Sequence, residues 1–525
     1  MDKSLRVLLV ACLSLQPALA HDARQGEFGE VHFATSCNKV AQERFDAGMR
    51  YQHSFWYRES KKLFEQALEA DASCAIAYWG IALSLLYNPH VPPPAQNLQL
   101  GMDALQKGKA LGAKTQRERD YIDTLVTFYA DHDKRSHAQR VQRYLEAEEA
   151  LAGRYPDDDE AQIAYAITLN VAASPNDKTY SNQLKGAAIL EPIFKRQPRH
   201  PGVAHYLIHL YDYPAIADKG LDAAQRYSRI APAAPHALHM PSHIFTRVGY
   251  WKESIASNSA SAQAAMAEKE PQDQLHAMDY LVYAHLQLAQ DREARAVIDE
   301  MLEVKGLNLA LRTGPYAIAA SQARYAIERG DWKAAAALQV QPTRFAYVDA
   351  ITHFARALGA SRSGSADAVA GDLAQLAALH DKLRQAKDAY WAEQVEIQWQ
   401  VGTAWALHAQ GKYDEALSRM KAAADAEDAT EKSVVTPGPL APARELYGEM
   451  LLERGMASQA LAQFEITLQK EPNRFNAFAG AAQAAQRAGD TAKAKSYSQK
   501  LVAMAGAGNT NRPALRTARE LLAAN

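Results

Sequence analysis

The stretch Glu453 to Pro472, ERGMASQALAQFEITLQKEP, places Gly455, Ala460, Phe464 and Pro472 where a paired helix needs them. Small Gly and Ala let two helices approach closely, Phe fills the contact, and Pro stops the second helix before a new unit begins. Phe478, Gly489 and Ala494 continue the marks in the following unit, and Gly48, Phe64 and Ala67 keep the same offsets near the N-terminus. Gly249-Tyr-Trp-Lys-Glu-Ser254, Gly330-Asp-Trp-Lys-Ala-Ala335 and Gly411-Lys-Tyr-Asp-Glu-Ala416 repeat the turn between helices. One such unit cannot cover its own apolar face, so units must stack into a continuous core.

These marks resemble the tetratricopeptide (TPR) pattern, a unit of about 34 residues built from antiparallel helices A and B. The resemblance implies an all-α fold, a right-handed solenoid with a concave groove lined by A helices. It runs through most of 37–505 and weakens around 115–155 and 340–395. The expected divisions are a TPR array over 37–335, degenerate helical repeats over 336–430, a loop at 431–441, a TPR pair over 442–505 and a tail over 506–525. Residues 21–36 are an arm or a short cap.

Composition agrees with a folded chain. Of 525 residues, 48% are hydrophobic and 22% charged, which excludes intrinsic disorder. Lys+Arg 58 against Asp+Glu 60 leaves no basic excess for a phosphate backbone, so nucleic acid is not an expected partner. Lys3 and Arg6, the apolar run from Val7 to Leu15 and Ala18-Leu-Ala20 follow the order of a secretory signal cleaved after Ala20. Cys12 offers a lipoprotein alternative. An exported, periplasmic or secreted chain is expected, with no transmembrane segment. Cys37 and Cys74 then remain, 37 residues apart and about one repeat, which suits a disulfide in an oxidising compartment.

Chemistry gathers in the repeats starting at 201, 235 and 275. At the helix-A offsets that face the groove in TPR proteins stand His205, His209, Asp212 and Tyr213, then His236, His239, His243 and Arg247, then His276, Asp279 and Tyr283. His205 to His239 and His209 to His243 are each 34 residues, one repeat. Stacking does not demand this, because core positions take Ala, Leu and Phe. His-x-x-x-His puts both imidazoles on one helix face, within reach of one zinc or copper ion. Arg247 would bind a carboxylate or phosphate in a bidentate fork. Pro241 either kinks a helix begun at Pro235 or starts a new one, leaving His236 and His239 in a loop.

The reading that follows is a non-enzymatic scaffold binding a protein, peptide or small ligand in the groove through this patch. The alternative is a zinc or copper site, or a metal-dependent enzyme, with His205, His209, His239 and His243 as candidate ligands. That alternative requires at least three donors within about 2.0–2.2 Å of one point. Lesser candidates are Trp79 at a groove offset, an acidic strip of Glu445, Glu449 and Glu453, Ser242 beside His243, and a copper chelate of an N-terminal His21 with His32.

Overall fold

The computed structural model describes residues 25–364 and 366–523. The expected secretory signal, Cys12 and His21 lie outside the described residues. Within them the chain is all-α, an array of antiparallel helix pairs with no strand among the described residues. Lys39–His53 pairs with Tyr57–Ala70 at one end, and Ala443–Glu453 with Ala457–Lys470 near the other.

The Gly and Phe marks work as the sequence suggests. Phe64 sits between Gly48 and Gly80, where an added Cβ would come within 2.8 Å and 2.5 Å of its ring. Phe464 repeats the arrangement with Gly448 and Gly480, at 3.0 Å and 2.3 Å. The same sixteen-residue spacing therefore builds the same three-helix contact at both ends of the array. Cys37 and Cys74 form a disulfide with Cα atoms 5.0 Å apart, tying the start of the first helix to the end of the second. Residues 27–36 behave as a cap, with Phe28 and Phe33 buried.

The central groove is filled by the chain itself. Residues 431–441, expected as a loop before the C-terminal pair, run inward across the middle repeats. Lys432 reaches Asp212 at 2.9 Å, Tyr280 donates to the Thr436 carbonyl at 3.2 Å, and Arg324 donates to that of Gly438 at 2.8 Å. The C-terminal pair follows. Arg474, fully buried, donates to Glu328 and Glu445 at 2.7 Å and to the Tyr283 hydroxyl at 3.0 Å. Gly249, at φ +70°, lets the Pro472 carbonyl approach to where a side chain would stand, only 2.4 Å from an ideal Cβ. The solenoid thus closes on its own centre.

No helix among the described residues is long and apolar enough to cross a membrane.

Candidate functional site

The histidines lie on helices that each begin with proline: Pro201–Tyr211, Pro235–His239, Pro241–Arg247 and Pro271–Gln287. Proline suits the first helical position, where its missing N–H is not needed. Pro241 resolves the two readings of its segment in a third way. It starts a new helix directly after the short helix Pro235–His239, so His236 and His239 are helical, and the chain turns at Met240.

Six imidazoles form two trios. In the first, the Nε2 atom of His205 lies 3.1 Å from that of His209 and 3.2 Å from that of His236. In the second, the Nε2 atoms of His239 and His243 are 3.0 Å apart, and His276 completes the set. Within each trio the ligand atoms all lie within 4.8 Å of one another. Nitrogens bound to one ion at about 2.0–2.1 Å stand roughly 3–3.5 Å apart, so these spacings fit. The four histidines expected as one ligand set are therefore divided, two to each trio, and His236 and His276 supply the third members.

Each trio is roofed by one aromatic ring. Phe55 touches His205, His209 and His236 at centroid distances of 4.3, 5.7 and 5.1 Å. Tyr280 touches His239, His243 and His276 at 4.7, 5.2 and 5.4 Å. His205, His209, His239 and His243 are buried, whereas His236 and His276 are half-buried.

The outward-facing Nδ1 atoms determine which nitrogens are free. His243 Nδ1 donates to Asp212 Oδ2 at 2.8 Å, and His239 Nδ1 donates to Asn258 Oδ1 at 2.6 Å. Asn258 is oriented by its own amide, which donates to the Ser254 carbonyl at 2.8 Å. His205 Nδ1 donates to the His53 carbonyl at 2.7 Å. Gly202 permits this approach, since a Cβ there would meet the His53 ring at 2.4 Å. A proton fixed on Nδ1 leaves a bare lone pair on Nε2. His239 and His243 thus aim two lone pairs at each other across 3.0 Å. His209 Nδ1 and His276 Nδ1 have no partner, so either of their nitrogens can carry the proton.

Burial keeps the cluster neutral. It lowers His205 and His276 to about 3, and it holds His209, His236 and His239 well below 6.5, aided by neighbouring imidazoles; His90, whose ring packs on His209 at 4.7 Å between centroids, is lowered to about 4 in the same way. Burial also lowers His243, against the opposing pull of Asp212. Asp212 is the charged anchor. Burial would raise its carboxyl, but Lys432, Arg247 and His243 outweigh that and hold it well below the ordinary range. Arg247 Nε donates to Asp212 Oδ1 at 2.8 Å.

Other expected site residues are placed elsewhere. Tyr213 donates to Asn170. Asp279 is fully buried against Arg324, and Tyr283 accepts from Arg474, so both belong to the closing contacts and not to the histidine patch. Glu445 pairs with Arg474 while Glu449 and Glu453 pair with Arg362, so there is no free acidic strip. Trp79 is core, packed on Phe33 and Tyr121. Ser242 is buried beside Asn258, and His32 pairs with Asp46.

A third cluster, His53, Glu160 and His200, has metal-like spacing but is satisfied without an ion. His200 Nδ1 accepts from the Val203 amide, so its Nε2 donates to Glu160 at 2.9 Å. Tyr206 occupies His53 Nδ1 at 3.1 Å, and His53 Nε2 donates to Glu160 at 3.1 Å. This cluster and Phe55, Asn258, Tyr280 and Lys432 were not visible from the repeat offsets. Their only signal in sequence is residue type.

No protein-family model matches the chain, and no curated protein matches it. Among solved structures, low-identity likenesses are found. Yeast Tom70 is similar at 12% identity over 93% of this chain and 96% of that chain, with a TM-score of 0.28. Human IFIT1, as a dimer with m7Gppp-AAAA, is similar at 10% identity over 90% of this chain and 98% of that chain, with a TM-score of 0.36. The TPR domain of P58(IPK) is similar at 12% identity over 92% and 98%, with a TM-score of 0.22. This chain's own helix pairs and Gly–Phe–Gly contacts make it a TPR-like solenoid.

Proposed function

We propose that this protein is an exported metal-binding solenoid whose two histidine trios take copper or zinc. One observation carries the reading. His239 and His243 face each other at 3.0 Å with both Nδ1 protons already committed to Asn258 and Asp212. The one hydroxyl near this pair, Tyr280, lies 3.4 Å from His243 Nε2 and closer, at 3.2 Å, to the Thr436 carbonyl that takes its proton; a buried acceptor left so costs roughly 1–3 kcal/mol, and a cation between the two imidazoles removes that cost. Neutral imidazole donors suit zinc and copper, and the groups holding Nδ1 set ring orientation and basicity. Three protein ligands per ion leave a coordination position open, as in sites that exchange ligands.

Elemental analysis of untagged protein, purified and then reconstituted with zinc or copper, tests this. Two ions per chain are expected, falling to one in the His239→Ala/His243→Ala variant. A folded chain that takes up no metal ends the proposal.

A second reading keeps a protein or peptide ligand. A cavity of about 70 Å³, bordered by Arg247, Tyr316, Tyr390, Trp391, Lys432 and Glu471, abuts the two cations that hold Asp212. Its mixed charge and aromatic surface suit a peptide side chain. Peptide-array binding that survives chelator and disappears in Trp391→Ala supports this reading, and its persistence in that variant removes it.

A further inference from the structure

The two trios adjoin each other, with gaps between them little wider than the 4.4–5.0 Å that separates the ring centroids of neighbours inside a trio. His209 and His243 have ring centroids 6.2 Å apart, and so do His236 and His239. Within the second trio, His243 and His276 are 6.3 Å apart. The repeat translation that carries His205 and His209 onto His239 and His243 therefore places two ligand sets against a common space. Ions that share a bridging atom stand roughly 3.5–4 Å apart in two-metal sites.

Charge decides what fills that space. The six imidazoles contribute no negative charge, whereas two divalent ions would bring a large positive one into a buried region. Asp212, which touches the second trio through His243, is already paired with Lys432 and Arg247. Across from the trios, Phe55 and Tyr280 offer an apolar ring and a hydroxyl directed at a backbone carbonyl. Compensation must come from outside the protein, and His236 and His276 are the half-buried members of the two trios.

We propose that the trios hold one coupled dinuclear centre rather than two independent ions, and that a small exogenous anion bridges it. Hydroxide is the bridge in water, and azide, of similar charge and small girth, is the probe. The inference rests on the metal reading above.

The test uses the full chain loaded with Cu(II), measured by elemental analysis and by integrated electron paramagnetic resonance. The expected result is two coppers per chain with most of the spin intensity missing at full field, and an optical band that changes on adding azide. His276→Ala, checked for folding by circular dichroism, should retain the first trio's copper and regain a full one-spin signal. Two coppers per chain with two full spins, and no response to azide, overturn the coupling and leave metal binding intact. One copper per chain also overturns the coupling. No copper in folded protein overturns this inference and the metal reading together.

Discussion

Asp212→Asn separates the two trios by a single atom. Asp212 Oδ2 accepts from His243 Nδ1 at 2.8 Å and from Lys432 at 2.9 Å, while Oδ1 accepts from Arg247 at 2.8 Å. Asparagine keeps the shape but offers one oxygen to three donors. If its NH2 faces His243, the imidazole must accept at Nδ1 and carry its proton on Nε2, which blocks that ligand. If its oxygen faces His243, both cations meet the NH2. Loss of such an orienting partner typically lowers metal affinity about 10–100-fold, or about 1.4–2.7 kcal/mol. The fall is greatest for the ion of the second trio, because the first trio is oriented by the His53 carbonyl. Stability also drops by roughly 3–5 kcal/mol, since Lys432 and Arg247 remain buried without a counter-charge. Lys432 is already lowered to about 8 by burial despite Asp212, so it sheds its proton more readily in the variant. Calorimetric zinc titration alongside thermal melts reads both effects. A folded variant that binds two ions with unchanged affinities would falsify the assigned role of Asp212.

Three further outcomes follow from the packing. Gly480→Ala puts a Cβ 2.3 Å from the Phe464 ring, an overpacking cost of roughly 1–3 kcal/mol that exceeds the ~1 kcal/mol gained in helix propensity, whereas Gly153→Ala meets nothing within 4 Å and gains; equal melting temperatures for the two variants count against the contact. Cys37→Ser/Cys74→Ser lowers stability by roughly 4 kcal/mol for a bridge spanning 37 residues, and reductant reproduces the loss in the parent chain; a melt indifferent to reductant counts against the bridge. Burial lifts Glu148 from 4.5 to about 7, with Oε2 lacking a partner, so its contribution is complete below pH 4.5 and is lost as pH rises through about 7. Glu148→Gln therefore gains up to about 3 kcal/mol on its parent between pH 4.5 and 8, and parallel stability curves refute the assignment.

The fold was legible because it rests on local repetition. A Gly–Phe–Gly contact recurs in sequence wherever it recurs in space, so Gly48 and Phe64 announce the same geometry as Gly448 and Phe464. The trios were half legible for the same reason: His205 and His239 differ by one repeat, and so do His209 and His243. What the repeat rule cannot convey is anything that depends on closure. It treats the groove as open, and so it groups Asp279 and Tyr283 with the histidines. In the folded chain those positions face Arg324 and Arg474, side chains 45 and 191 residues away in sequence. The same closure brings in Lys432 to hold Asp212, and with it the proton on His243. The residue that fixes the ligand's tautomer is thus itself fixed by a loop 220 residues away. A helix-by-helix reading supplies the donors of this site. For His243, the returning chain also secures the partner that decides which nitrogen is left free.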